Sequence, residues 1–271
     1  VLALFFQSAL KFTTPYSSQE LVFSTLTNLL FLGQSWNIKA WVFNNQPYWS
    51  LCYEVMYYLG FGVFVFGRGW GKWLGLLIVG LVSGPKVLLL LPCWVLGVLA
   101  YRFRDRIPLK VVPACILGFL LPVIVLVVLN RLGFGGAARS VMQDIWGDQK
   151  SYLEFSNEFP IDYVTASLVA INLYAARYIK LPFLQYFRRV IVWAASFSFT
   201  LYLMHLPLMF LTMNGMAPQN HTAVSFLAGA IGIPAVCYLI SLATEQKRPA
   251  LLRVMDRYLS KRTHPFELQG K

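Results

Sequence analysis

Residues 47–66 form an apolar and aromatic stretch that carries one carboxylate, Glu54, and no basic residue. A helix needs about 20 apolar residues to cross the hydrocarbon core of a bilayer, so this stretch predicts one membrane span. A carboxylate inside such a span is costly, because no water is present to solvate it, and it therefore needs a partner or a function. Helical spacing puts Ser50, Glu54 and the pair Tyr57 and Tyr58 close to one face of the helix.

The composition of the chain indicates an integral membrane protein. Of its 271 residues, 58% are hydrophobic and 13% are charged, whereas about 25% are charged in an ordinary soluble domain. We therefore predict an all-α fold, a polytopic bundle of membrane helices. The formal net charge of +12 is interpreted as a topology signal and not as a sign of nucleic-acid binding, since Lys and Arg collect on the cytoplasmic side. The four cysteines lie in apolar runs without metal-site spacing.

The apolar runs predict eight membrane helices. They are 1–12, which is interpreted as the end of a helix, 47–66, 73–84, 87–101, 111–130, 161–179, 190–212 and 222–243. Gly84-Pro85 marks a tight turn between the two short spans of this set. The run 21–36 is interrupted by polar residues and favours a re-entrant or interfacial helix.

The basic residues predict the orientation of these helices. If residues 47–66 run from outside to inside, 17 of the 23 Lys and Arg residues fall in the cytoplasmic segments 67–73, 102–110, 177–189 and 244–271. The chain is then a single transmembrane domain over residues 1–271, with an extracytoplasmic loop at 131–160 and a basic cytoplasmic tail at 244–271. Glu54 lies in the outer half of the membrane.

A second polar constellation occurs in the late span, within the sequence SFSFTLYLMHLPLMF. Ser198, Tyr202 and His205 are spaced four and three residues apart and share a helix face. Pro207 lacks an N–H group and favours a kink near His205. By residue count His205 lies at a depth similar to that of Glu54, so the two side chains either pair or line one polar cavity. A purely structural bond between two helices is the alternative.

Residues next to the first constellation suit a sugar acceptor. Asn45 precedes the helix and offers an amide to hydroxyl groups, and Trp49 offers a flat face to a sugar ring. An aromatic belt at the membrane interface is the alternative interpretation of these aromatic residues. Arg102 and Arg104 lie in a predicted cytoplasmic turn, where they either bind phosphate or only mark the topology.

Four segments resemble motifs of the membrane acyltransferase 3 family. WSLCYEVMYYLGF resembles the family's WSLxxExxFYL signature, and SFSFTLYLMHLPLMF resembles its SYSLYLxHxP motif. LPCWVLGVLAYRFR is similar to its FxxGxxLA segment, and TEQKRP is similar to its closing E-x-P element. The resemblance implies ten membrane helices with both ends cytoplasmic, so two helices are expected ahead of the eight in this sequence. It also implies that the principal catalytic histidine lies on the first of those two.

The resemblance further implies a membrane-bound O-acyltransferase. The expected reaction transfers an acetyl group from acetyl-CoA to a hydroxyl of an extracytoplasmic or lipid-linked glycan. Glu54 and His205 are the expected catalytic residues. Glu54 is expected to act as the base or as the carboxylate that orients the absent histidine, and His205, with Ser50 and Tyr202, is expected to position the acyl group or polarise its carbonyl. The expected substrate-binding residues are Ser50, Trp49, Tyr57, Ser198, Tyr202 and Asn45. Arg102 and Arg104 are expected to bind acyl-CoA, which is a co-substrate, and neither a resident cofactor nor a metal is expected.

The expected setting is the bacterial inner membrane, with a cytoplasmic C-terminus and with membrane lipid, a glycan or glycoside acceptor and acyl-CoA as partners. Assembly with further copies or with polysaccharide machinery is left open. The alternative function is a transporter or flippase for a lipid-linked glycan or small organic acid, with Glu54 and His205 as a proton relay. No inverted repeat of the kind that transporters carry is visible. A non-catalytic scaffold for polysaccharide machinery is the third interpretation.

Overall fold

The computed structural model describes residues 17–41, 45–103, 112–147, 150–179, 182–215 and 223–263. These residues form helices and turns, and no strand occurs among them, which confirms the all-α prediction for this part of the chain. Four of the described helices are long and apolar enough to cross a membrane, or up to five if one bent pair counts as a single span. The described residues divide between two compact units: those of 18–42 and 49–182, and those of 1–17, 43–48 and 183–271.

The first unit contains the four long apolar helices and three shorter ones. They are α1 (Ser18–Leu29), α2 (Tyr48–Phe66, in this unit from Trp49 onward), α3 (Gly69–Arg102), α4 (Val112–Arg131), α5 (Phe134–Trp146), α6 (Lys150–Leu153) and α7 (Phe159–Ala176). A 3₁₀ turn, Glu154–Ser156, lies between α6 and α7. Helices α2, α4 and α7 lie within a few residues of the spans predicted at 47–66, 111–130 and 161–179.

Helix α3 is broken at Gly84, which has φ +77° and ψ 172°, a conformation that glycine adopts far more easily than other residues. Before this point α3 runs antiparallel to α2. Gly60 of α2 faces Val79, and nearer the start of α3 a Cβ on Gly75 would lie only 2.8 Å from Val63. The first leg of α3, residues 69–83, therefore passes back along α2.

The second leg of α3, residues 85–102, reverses this direction. The Tyr57 hydroxyl donates a hydrogen bond to the Val87 carbonyl at 2.6 Å. The Trp94 ring lies 5.6 Å from that of Phe61, a full turn further along α2. A straight α3 would carry Trp94 away from Phe61, so the chain doubles back. These contacts agree with the turn predicted at Gly84-Pro85.

The second leg of α3 packs parallel to α7. The Tyr163 hydroxyl donates to the Leu89 carbonyl at 2.5 Å near the start of both segments. The Tyr174 hydroxyl donates to the Phe103 carbonyl at 3.3 Å near their ends. Two tyrosines of α7 thus tie this helix to the second leg along its length.

Helix α4 packs antiparallel to α7. The Asn172 amide donates to the Phe119 carbonyl at 2.6 Å. Gly118 lies against Ala175, where a Cβ on the glycine would come within 3.0 Å of the alanine methyl group. From α2 through both legs of α3 to α4 and α7, successive segments of this unit therefore alternate in direction.

The segment that joins α4 to α7 is predicted as a loop, but its described residues are largely helical. Helices α5 and α6 and the 3₁₀ turn occupy most of it. Arg139 on α5 donates from Nε to Glu158, at the start of α7, over 2.6 Å. This carboxylate raises the pKa of the Arg139 guanidinium. The extracytoplasmic position of residues 131–160 stays a prediction.

The second unit contains the histidine constellation. Its helices are α8 (Pro182–Tyr186), α9 (Arg188–Ala195), α10 (Ser198–Gly215), α11 (Ala223–Ala243) and α12 (Arg248–Thr263). Helices α10 and α11 pack against each other. The rings of Trp193, Phe197 and Tyr238 form an aromatic cluster with centroid distances of 5.2 to 5.6 Å.

The span predicted at 190–212 is bent by 56° between α9 and α10. The prediction of one continuous helix needs correction, because a break precedes Ser198. Helix α10 continues through Pro207, and a kink near His205 stays a prediction. Ser196 and Ser198 donate from their hydroxyls to the carbonyls of Trp193 and Ala195. Such local side-chain bonds compete with the helical pattern and favour a break.

Candidate functional site

Glu54 lies half-buried in α2, with its carboxylate bonded within its own helix. The Tyr58 hydroxyl donates to Glu54 Oε1 at 2.8 Å, one turn further along the chain. Glu54 and Tyr58 therefore lie on one helix face, as their spacing predicts. A carboxylate that accepts a hydrogen bond from a phenol is held in one orientation and keeps further acceptor capacity.

The other predicted residues of α2 serve the packing of the first unit to different degrees. Tyr57 is buried, and its hydroxyl bonds the Val87 carbonyl as described above. Trp49 stacks on Phe155 with a centroid distance of 4.4 Å and an interplanar angle of 6°. Ser50 lies half-buried one turn before Glu54. Substrate binding by these three residues stays a prediction.

Asn45, Arg102 and Arg104 differ in how far the structure describes them. Asn45 precedes α2, and its buried Oδ1 accepts no hydrogen bond from a described residue. Arg102 is exposed in the last turn of α3. Arg104 lies outside the described residues. A sugar-binding amide and an acyl-CoA-binding arginine pair stay predictions.

His205 is half-buried on α10, with one ring nitrogen directed at the helix backbone. Its Nδ1 lies 2.7 Å from the Tyr202 carbonyl oxygen and 3.1 Å from that of Leu201. Because a carbonyl oxygen only accepts, Nδ1 carries the proton in the neutral imidazole. The lone pair is then on Nε2, which is the form of histidine that acts as a general base.

Ser198 and Tyr202 follow the face that the spacing predicts. Ser198 is exposed at the start of α10, and its hydroxyl donates to the Ala195 carbonyl at 3.0 Å. The Tyr202 ring is 42% exposed, and its centroid lies 6.3 Å from that of His205. Tyr202 lies one helical turn before His205 and is therefore closer to the imidazole ring than Ser198 is.

Glu245 caps the helix that carries His205, a contact that the sequence analysis does not predict. Its Oε2 accepts hydrogen bonds from the Thr200 backbone N–H at 3.2 Å and from the Thr200 hydroxyl at 3.0 Å. The first N–H groups of a helix lack internal partners, and a carboxylate at that end also favours the helix dipole. The TEQKRP segment thus holds the start of α10.

Glu54 and His205 belong to different compact units. Each side chain has its own bonding within its own helix, to Tyr58 and to the Tyr202 backbone. The predicted pairing of Glu54 with His205, and their place in one cavity, stay predictions.

A buried ion pair in the first unit was missed by the sequence analysis. Lys86, two residues after the Gly84 turn, has a fully buried side chain. Its Nζ donates to Glu154 Oε2 at 3.2 Å and to the Ile38 carbonyl at 3.1 Å. Lys39 contributes a second, more exposed cation at 3.5 Å from Glu154 Oε1. A buried pair that lost one partner would leave an uncompensated charge.

Neighbouring polar groups complete this Lys86–Glu154 cluster. With its amide oriented to match its neighbours, Gln34 donates to Glu154 Oε2 at 2.8 Å. The Ser156 hydroxyl donates to the Lys86 carbonyl at 2.7 Å, and the Tyr53 hydroxyl lies 3.0 Å from the Ser156 oxygen. Each of these polar groups has a hydrogen-bond partner. The cluster therefore holds the Gly84 turn against the 3₁₀ turn, and we interpret its role as structural.

Within the described part of the chain, no group of three or more His, Cys, Asp and Glu residues has the arrangement of a metal site. No family model, no curated protein and no solved structure matches this chain.

Proposed function

We propose that the chain is a membrane-bound O-acyltransferase that moves an acetyl group from acetyl-CoA to a hydroxyl of an extracytoplasmic or lipid-linked glycan. The observation that carries the proposal is the orientation of His205. Its Nδ1 faces two backbone carbonyls, inside a helix whose sequence resembles the SYSLYLxHxP motif. An imidazole that is held in place through Nδ1 can use Nε2 to remove a proton from a hydroxyl group.

In this proposal Nε2 of His205 takes the proton of the acceptor hydroxyl. The hydroxyl oxygen attacks the thioester carbonyl of acetyl-CoA and forms the new ester C–O bond. Collapse of the tetrahedral intermediate breaks the C–S bond, and the proton passes from the imidazolium to the leaving thiolate. Nδ1–H stays on the backbone carbonyls throughout, so His205 acts as the base and not as the donor that polarises the carbonyl.

Glu54, a carboxylate within a membrane helix, is proposed as a second catalytic residue. Ser50, Trp49, Tyr57, Ser198, Tyr202 and Asn45 are proposed to contact the acceptor or the acetyl group. Arg102 and Arg104 are proposed to bind the phosphates of acyl-CoA, because guanidinium groups pair with phosphate in two-point geometry.

The proposed location is the bacterial inner membrane, with a multi-pass topology and a cytoplasmic C-terminus. The alternating directions of α2, the two legs of α3, α4 and α7 support this topology. Both legs of α3 are shorter than the ~20 residues of a full crossing, so the turn at Gly84 is proposed to lie below the outer surface.

The proposal is tested with membranes that contain the full-length protein and matched membranes that lack it. Radiolabelled acetyl-CoA is supplied on the cytoplasmic side, and alkali-labile label is counted in the glycan and glycolipid fractions. We expect label only where the protein is present. Movement of a glycan across the membrane without any covalent label would instead establish the transporter or flippase.

A further inference from the structure

A lateral crevice of about 550 Å³ opens between the second leg of α3, α4 and α7. Its wall is almost wholly apolar, and small residues create the space. Ala100 of α3, Ala114 and Gly118 of α4 and Ala170 of α7 all line it. Larger side chains at these positions would fill the crevice, so its volume depends on this set.

The crevice spans most of the depth of one leaflet. On α3 its lining extends from Leu96 to Phe103, and on α7 from Ser167 to Ala175. At a rise of 1.5 Å per residue these stretches are about 10 and 12 Å long. The hydrocarbon core of a bilayer is about 30 Å thick, so a crevice that starts at the helix ends reaches close to the midplane.

Two arginines lie close in sequence to residues that line one end of the crevice. Arg102 is next to the lining residue Phe103, and Arg177 follows the lining residue Ala175 by two positions, and both arginines are exposed. The hydrogen bond from Tyr174 to the Phe103 carbonyl holds the ends of α3 and α7 together. The ends of α3 and α7 next to the crevice therefore carry positive charge, while the crevice itself is apolar.

We propose that this crevice binds one acyl chain of an anionic phospholipid, with the lipid phosphate at Arg102 and Arg177. Basic groups at the membrane face of an apolar gap between helices are a recognised arrangement for acidic lipid head groups. The apolar wall takes a hydrocarbon chain, and the two guanidinium groups take the phosphate in charge-assisted hydrogen bonds. This lipid site shares Arg102 with the proposed acyl-CoA site, but lipid binding is measured without acetyl transfer and does not depend on it.

The test uses the full-length protein, delipidated in a neutral detergent and titrated with phosphatidylglycerol or phosphatidylcholine of identical acyl chains. Bound lipid is counted by native mass spectrometry. We expect one phosphatidylglycerol to bind at least about tenfold more tightly than phosphatidylcholine. Ala170→Phe should weaken phosphatidylglycerol binding about tenfold. Val169→Phe, at an exposed neighbouring position of α7 outside the crevice, should leave binding unchanged.

A second arm tests the charges at the ends of α3 and α7. Arg102→Gln combined with Arg177→Gln should remove the preference for phosphatidylglycerol, whereas Arg131→Gln at the opposite end of α4 should retain it. If Ala170→Phe does not elute as a monodisperse protein, Ala114→Phe on α4 replaces it. Equal binding by Ala170→Phe and Val169→Phe would overturn the proposal. So would equal binding of the two lipids by the unmodified protein.

Discussion

At the scale of single residues, Glu54 tests whether a carboxylate in a membrane helix has a chemical role. Glu54→Gln keeps the shape of the side chain and can still accept from Tyr58, but it removes the negative charge. We expect acetyl transfer to the glycan to be lost while the amount of protein in the membrane stays the same. The measurement is alkali-labile acetyl label per unit of protein, with the protein quantified by immunoblot.

Tyr58→Phe is the matched variant for Glu54, because it removes only the hydroxyl that donates to Oε1. One hydrogen bond to a charged group contributes about 1.5–3 kcal/mol, and partial exposure of this pair lowers that value. We therefore expect Tyr58→Phe to reduce acetyl transfer by less than about tenfold. Full activity of Glu54→Gln would show that Glu54 is structural.

Lys86 tests the stability of the buried cluster. Lys86→Met leaves Glu154 without its main partner, and breaking a buried pair in this way costs about 3–5 kcal/mol. We expect the loss of folding free energy to lie near the lower end of this range, because Lys39 and Gln34 also contact Glu154. Lys39→Met is the control, since an exposed pair contributes at most about 1 kcal/mol.

The measurement for these lysine variants is reversible unfolding in mixed detergent micelles. The double variant Lys86→Met with Glu154→Gln should recover part of the lost stability, because the unpaired charge is gone. A Lys86→Met protein as stable as Lys39→Met would contradict the structural role of the pair.

The residues that the sequence predicted correctly are those whose partners are close in the chain. Glu54 and Tyr58 are one helical turn apart, so their spacing alone predicts the contact. Lys86 and Glu154 are 68 residues apart, and neither is singled out by its local sequence. Nothing local to either residue identifies the other, because the contact exists only once the Gly84 turn and the 3₁₀ turn have packed together.

At the scale of elements, the turn within α3 depends on Gly84. A Cβ there would lie 2.8 Å from the Trp36 backbone nitrogen, and φ is +77°. Gly84→Ala should therefore cost at least about 2 kcal/mol, from strain in the left-handed region and from the clash. Gly80→Ala is the matched control on the first leg, where a Cβ would meet no described atom within 4 Å.

Thermal unfolding in detergent, followed by loss of helical circular dichroism, measures both glycine variants. In a helix interior Gly→Ala is neutral or stabilises by up to about 1 kcal/mol. Equal effects of Gly84→Ala and Gly80→Ala would contradict the close packing of Trp36 on the turn.

Element boundaries were predictable where one local signal dominates. Gly84-Pro85 is such a signal, and the turn lies there. The break between α9 and α10 was not predicted, because the apolar run 190–212 continues across it. Two serine hydroxyls at the break bond nearby carbonyls, and such bonds compete with a helix that hydropathy alone would extend. Helix α5 was missed because its glycine pair and its polar residues interrupt the continuous apolar run that marks a membrane span.

At the scale of the whole molecule, the charge distribution makes a prediction about topology. A reporter fused after Lys271 should be active only as a cytoplasmic reporter, and one inserted after Gln143 in α5 only as a periplasmic reporter. The reason is the excess of Lys and Arg in the segments assigned to the cytoplasm. A periplasmic signal from the C-terminal fusion would reverse the orientation and place Glu54 in the inner half.

The most direct test of acyl transfer is the rate of acetyl incorporation by His205 variants in membranes of equal protein content. The account predicts that His205→Ala lowers the rate by about 10²–10⁴-fold and that added imidazole restores part of it, because the missing group is a base. His205→Gln should be as inactive as His205→Ala. Full activity of either variant, or a loss that imidazole does not relieve, would contradict the role of Nε2 as the base.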